Sequence, residues 1–101
     1  MFKIGDFSKF SRVSVRMLRY YDENDIFKPE VVDDYTGYRY YSAGQIQQIN
    51  IITRLRDYGF TVLEIGMYLS APIEVREHML KGKLAEIDQS IEYEKQKKNR
   101  I

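Results

Sequence analysis

The chain has no cysteine and no tryptophan, two prolines and a single histidine among its 101 residues. Without cysteine there is no disulfide framework, no thiolate metal site and no thiol nucleophile. No stretch reaches the roughly 18 apolar residues of a membrane span. Met1–Asp6 also lacks the apolar run of a signal peptide. The expected location is therefore the cytoplasm, with no membrane partner. There is no glycine-rich phosphate loop, no internal repeat and no low-complexity tract. His78 has neither an acid nor a nucleophile at catalytic spacing, so nothing points to an enzyme, a cofactor or a metal.

What is present suits one compact unit with an appendage: hydrophobic residues make up 44% and charged residues 31%. Net charge is only +1, but its distribution is uneven. Lys9, Arg12, Arg16 and Arg19 follow one another with no acid between them, and Asp22, Glu23, Asp25 and Glu30 come after. A local basic stripe on a nearly neutral protein suits a positioned contact with a polyanion. Five of the nine tyrosines fall in two blocks, Tyr20–Tyr21 and Tyr38–Tyr41.

Ile4, Phe7 and Phe10 recur at helical spacing over a short first helix, Gly5 to Phe10. After Ser11-Arg12-Val13, Ser14 is an N-cap for a second helix running to about Asn24, ended by Lys28-Pro29. Two short helices joined this tightly have the shape of a helix-turn-helix. At about 100° per residue from Val15, Arg19 falls near 40°, Arg16 near 100° and Tyr20 near 140°. Tyr21 and Leu18 lie on the opposite side, where they can pack on the first helix. Val31–Tyr41 reads as a β-hairpin whose second arm is aromatic and basic. Arg39 on a projecting hairpin suits a phosphate contact, and Asp33-Asp34 is ordinary turn chemistry. Ser42–Gln45 and Thr61–Glu64 are capping boxes opening two further helices. The first ends at Gly59 and buries Ile46, Ile49, Ile52 and Leu55. Arg54 and Arg56 lie in its last turns, where the helix dipole favours cations.

Pro72 takes the first position of a last helix with no further proline. Some 29 residues at about 1.5 Å each give roughly 43 Å, too long for so small a domain to cover. Leu80, Leu84, Ile87 and Ile91 follow 4-3-4 spacing, which is a heptad seam; extending it reaches Ile73 and Ile101 but meets Glu77, Glu94 and Lys98 on the way. The simplest partner for that seam is a second copy, giving a homodimer.

In order along the chain, Lys3-Ile4-Gly5-Asp6-Phe7-Ser8-Lys9, Val13 to Asp22, Lys28-Pro29, Thr36 to Ser42 and Leu55 to Phe60 resemble the MerR family of bacterial transcription regulators. The Tyr-rich wing and Phe27-Lys28-Pro29 are most similar to its multidrug-responsive branch. The resemblance implies a mainly α fold. Residues 1–71 would form a winged helix-turn-helix with a small β-hairpin wing, and 72–101 a long dimerisation helix in an antiparallel coiled coil. It also implies a homodimer on a palindromic operator within an overlong promoter spacer. Bending and untwisting that spacer would let RNA polymerase engage both promoter elements.

Carried over by position, Val15, Arg16 and Arg19 match recognition-helix contacts, and Tyr20 and Tyr21 the paired aromatics that meet phosphate or pack behind the helix. Tyr38 and Arg39 match wing contacts, and Arg56 with Gly59 a second, shorter wing. Arg16 is the candidate for a guanine edge, because a guanidinium can bond O6 and N7 together. The dimerisation residues are Ile73, Leu80, Leu84, Ile87 and Ile91. Metal-sensing members use cysteines at the end of the dimer helix, and this chain has none. Ligand-sensing members append a C-terminal domain, so the expectation is a fragment of a longer regulator, with an effector ligand only if such a domain follows Ile101. Two rival readings are an excisionase-like DNA-bending factor, which needs no long coil, and a coiled-coil protein-interaction module.

Overall fold

A computed structural model describes residues 1–100 of the chain, so the seam position expected at Ile101 lies outside the described residues. The elements run β1 (Phe2–Lys3), α1 (Ile4–Ser11), α2 (Val15–Glu23), β2 (Val31–Val32), β3 (Arg39–Tyr41), α3 (Gln45–Asp57), α4 (Val62–Ser70) and α5 (Ile73–Asn99). The fold is mainly α, with a small antiparallel sheet. No helix among the described residues is long and apolar enough to cross a membrane.

The helix-turn-helix forms as its punctuation dictates. Arg12 closes α1 in the left-handed region at φ 59°, its amide donating to the Ser8 carbonyl. Val13 is buried and pins the turn. Ser14 caps α2, its hydroxyl accepting from the Met17 amide at 3.0 Å. α2 ends where expected, at Glu23 with Asn24 as its C-cap, but the cause is local: Asp25 adopts φ 58° and stops the helix well before Lys28-Pro29. The Asp25 and Ile26 amides then donate to the Asp22 and Tyr21 carbonyls, satisfying the last turn in a Schellman arrangement without glycine.

The expected hairpin gains a third strand. β3 is central, pairing Tyr40 with both Val31 of β2 and Lys3 of β1. Asp33 shapes the connecting turn, its carboxylate accepting from the Tyr35 and Thr36 amides. Tyr41 points inward and is fully buried. Its ring stacks on Phe7 at 4.6 Å and on Phe27 at 5.7 Å, so one column of aromatic rings ties sheet, α1 and the loop after α2 together. A two-stranded hairpin is marginal alone, and this column supplies the packing that holds it.

The box expected at Ser42 is only half formed. The Gln45 side chain accepts from the Ser42 amide, but the Gln45 amide bonds the Ser42 carbonyl and α3 opens from a tight turn. The gain is a cross-link: Gln45 Nε2 donates to the Lys28 carbonyl at 2.6 Å. α3 ends in a second Schellman arrangement. Gly59 at φ 93° and Phe60 donate to the Arg56 and Leu55 carbonyls, while Leu55 and Phe60 are both buried. The Thr61–Glu64 box is complete. Pro72 stands at the N-cap of α5, one residue before the position expected, because its ψ of 160° is extended.

The first turns of α5 are fastened to α4. Arg76 donates to the Tyr68 and Leu69 carbonyls at the end of α4, and Lys83 pairs with Glu64 near its start at 3.1 Å. Met79 and Leu80 pack against the core. The helix then runs on alone. The radius of gyration is 17.3 Å, against about 13 Å for a compact chain of this size, and the longest extent is 61 Å.

Candidate nucleic-acid interface

α2 divides by face as its spacing predicts. Leu18 and Tyr21 are buried against the core, while Arg16, Arg19 and Tyr20 are exposed and Val15 half-buried. Arg16 and Arg19 form no ion pair among the described residues, so both guanidinium groups remain available to an anion. Ser14, Val15, Arg16, Arg19 and Tyr20 border one open surface along the helix. Tyr21 must be removed from the contact set: at 1% exposure it is a core residue. The angular position of Tyr21 had already separated it from Tyr20.

Beside α2 lies a cleft of about 360 Å³ that the sheet closes from the other side. Lys3 and Asp6, Arg19, and the wing residues Gly37, Tyr38 and Arg39 line it. Lys3 is exposed, with its ammonium 4.8 Å from the centre of the Tyr38 ring. Lys3 was not singled out from the sequence as a site residue, since only the pairing of β1 with β3 brings it to the wing. At the turn between α3 and α4, Arg56 and Gly59 are both exposed.

Arg39 departs from expectation. It is not a free cation on a projecting ribbon, because its Nε lies 2.8 Å from Asp22 Oδ2 and its side chain is 32% exposed. Alternation on β3 puts Arg39 on the same side as Tyr41, facing α2 rather than solvent. Asp22 also receives Lys28 at 3.2 Å. Burial raises the Asp22 carboxyl, but hydrogen bonds from Arg39 and Lys28 outweigh it and hold the group below its ordinary value. Burial, reinforced by the Asp22 charge, pushes the neighbouring Tyr41 phenol up to about 12. Among the described residues no hydrogen-bond partner meets that phenol oxygen.

The seam residues are disposed unequally. Ile73, Leu84 and Ile91 are exposed, Ile87 is half-buried, and Leu80 divides its surface between the seam and its own domain. α5 buries no residue completely. An isolated chain would leave this apolar strip in water.

Residues 2–72 match the family described as MerR HTH family regulatory protein. The chain is 42% identical over 64 residues to the multidrug-efflux transporter 1 regulator of Bacillus subtilis, covering 63% of this chain and 23% of that one. It is 37% identical over 97 residues to the multidrug-efflux transporter 2 regulator of the same organism, covering 94% and 35% respectively. It thus spans about a quarter to a third of the length of these relatives. Among solved structures, the cryo-EM structure of an EcmrR–DNA complex in EcmrR-RPo superposes with a TM-score of 0.77 at 30% identity. That match covers 90% of this chain and 33% of the other. With a winged helix-turn-helix, a basic and aromatic outer face on α2 and a family match over most of its length, this chain belongs to the MerR family of transcription regulators, which are not enzymes.

Proposed function

We propose that the chain binds double-stranded DNA as a homodimer, through a palindromic operator in a promoter spacer, and distorts that operator to control transcription. The observation that carries this reading is the outward face of α2, where two unpaired guanidinium groups and the Tyr20 phenol stand beside a cleft edged by Lys3 and Tyr38. Arg16, foremost on the helix, reads a base edge, and Arg19, Tyr20, Lys3, Tyr38 and Arg56 position the duplex through its backbone. Residues 1–71 are the DNA-binding unit, and 72–101 supply the dimerisation helix. Its strip of Ile73, Leu80, Leu84, Ile87 and Ile91 pairs antiparallel with a second copy. Such a long strip favours this reading over an excisionase-like factor. RNA polymerase is the further partner, since the similar EcmrR–DNA complex belongs to EcmrR-RPo. The protein works in the cytoplasm, where its duplex lies.

Selection from a library of random duplexes, about 30 base pairs or close to three helical turns, tests the proposal. The expected product is an inverted repeat with two similar half-sites. Enrichment of a lone half-site, or of nothing, would overturn it.

A further inference from the structure

Asp22 occupies the last turn of α2, where the recognition helix, the following loop and the wing meet. Its Oδ2 accepts from Arg39 of β3 at 2.8 Å, and its Oδ1 from Lys28 at 3.2 Å. The Lys28 ammonium also donates to the Asp22 main-chain carbonyl. The Asp22 side chain is 15% exposed, so this is a sheltered pair rather than a loose surface one. The β2–β3 ribbon is short, joined by two ladder pairs and by the Asp33 amide donating to the Tyr38 carbonyl. The aromatic column fixes its height above the core, and among the described residues Arg39 makes its one ion pair to α2. Arg39 and Arg19 line the same cleft, so whatever holds Arg39 also sets the distance between recognition helix and wing.

We propose that Asp22 is a positioning residue for DNA binding, holding Arg39 so that the wing stands at the spacing from α2 that a duplex requires. Arg39 is then a strut as much as a contact, and Lys3 and Tyr38 meet the flanking backbone from the position it fixes. This inference rests on the DNA-binding reading above. It also reverses a simple electrostatic expectation. An acid close to a phosphate-binding face repels DNA, so charge alone says that neutralising Asp22 tightens binding. Positioning says the opposite.

The test uses the whole chain and the duplex that the wild-type chain enriches from a random library. Asp22→Asn removes the charge with little change of shape, and Asp22→Glu keeps the charge but displaces the carboxylate. Both should bind about tenfold more weakly, as expected for loss of one charge-assisted hydrogen bond. Hydroxyl-radical protection should fall at the flanks and persist at the centre of each half-site. Arg39→Gln combined with Asp22→Asn should be no weaker than Arg39→Gln alone, and a further loss in the double variant would show that Asp22 does not act through Arg39. Equal or tighter binding by Asp22→Asn, unchanged binding by Asp22→Glu, or loss spread evenly over the whole footprint would each overturn the proposal. Should Asp22→Asn fail to fold, Asp22→Glu decides alone. If the wild-type chain itself binds no duplex, the DNA-binding reading fails, whereas a bound wild type with indifferent variants sinks only the role of Asp22.

Discussion

Raising salt from about 50 to 200 mM should weaken operator binding by about 10³-fold, because counterions released by neutralised phosphates return to the duplex. The size of the effect follows from the cations the interface leaves free for the backbone. Lys3, Arg19 and Arg56 are exposed and form no ion pair among the described residues, whereas Arg39 is held by Asp22 and Arg16 is assigned to a base edge. Three such groups in each protomer make six in a dimer. At about 0.9 per phosphate, the slope of log affinity against log salt is near −5. Arg19→Gln removes one contact from each protomer and should flatten that slope by nearly 2, with the selected sequence unchanged. Fluorescence anisotropy of a labelled duplex at five or six salt concentrations measures both quantities. A slope shallower than about −2, or one that Arg19→Gln leaves alone, would refute the assignment of this face to phosphate contact.

Arg16→Ala should cost about 1–3 kcal/mol on the selected duplex and relax preference at one base pair per half-site. An equal loss on every sequence in a competition assay would make Arg16 a backbone clamp. Tyr41→Phe removes a buried hydroxyl that lacks a partner, so thermal melts should show no loss of stability, and a gain of up to about 1 kcal/mol. The same residue sets an alkaline limit. Its folded phenol is raised from 10.0 to about 12, so the unfolded phenol ionises first, and fold stability is intact below about pH 10 and falls as pH rises from there through 12. Tyr41→Phe should abolish that window, and an unaltered alkaline melt would contradict the assignment. Asp22 has the opposite sign. Its lowered pKa means that the latch stabilises the fold at neutral pH and loses its contribution as pH falls below about 3.8 and through the folded value.

Much of this arrangement was legible from local pattern, because local physics decides it. Ser14 caps α2, Thr61 and Glu64 close a box, and the periodicity of Ile49, Ile52 and Leu55 finds the core. The faces of α2 follow from its helical pitch, which separates Tyr20 from Tyr21. What escaped depends on partners distant in the chain or on improbable backbone. β1 is two residues long and shows no period of its own. Asp25 in the left-handed region is uncommon for a non-glycine residue, so the device that stops α2 was not legible although its end near Asn24 was. Asp22 reads as one of several acids on a solvated helix end. Only the fold of β3 across α2 turns it into the receiver of Arg39, 17 residues away. Leu80 fits the heptad seam by spacing, yet it serves its own core as well.

The central claim is that two copies, joined along α5, present their α2 helices to one duplex. Sedimentation of the chain with its selected duplex tests this most directly, beside an Ile91→Glu variant whose substitution lies on the exposed strip, at a residue 49% accessible in one chain. Two chains per duplex are expected for the wild type, and a folded monomer with at most weak DNA affinity for the variant. One chain per duplex, or a variant that still binds in pairs with undiminished affinity, would contradict it.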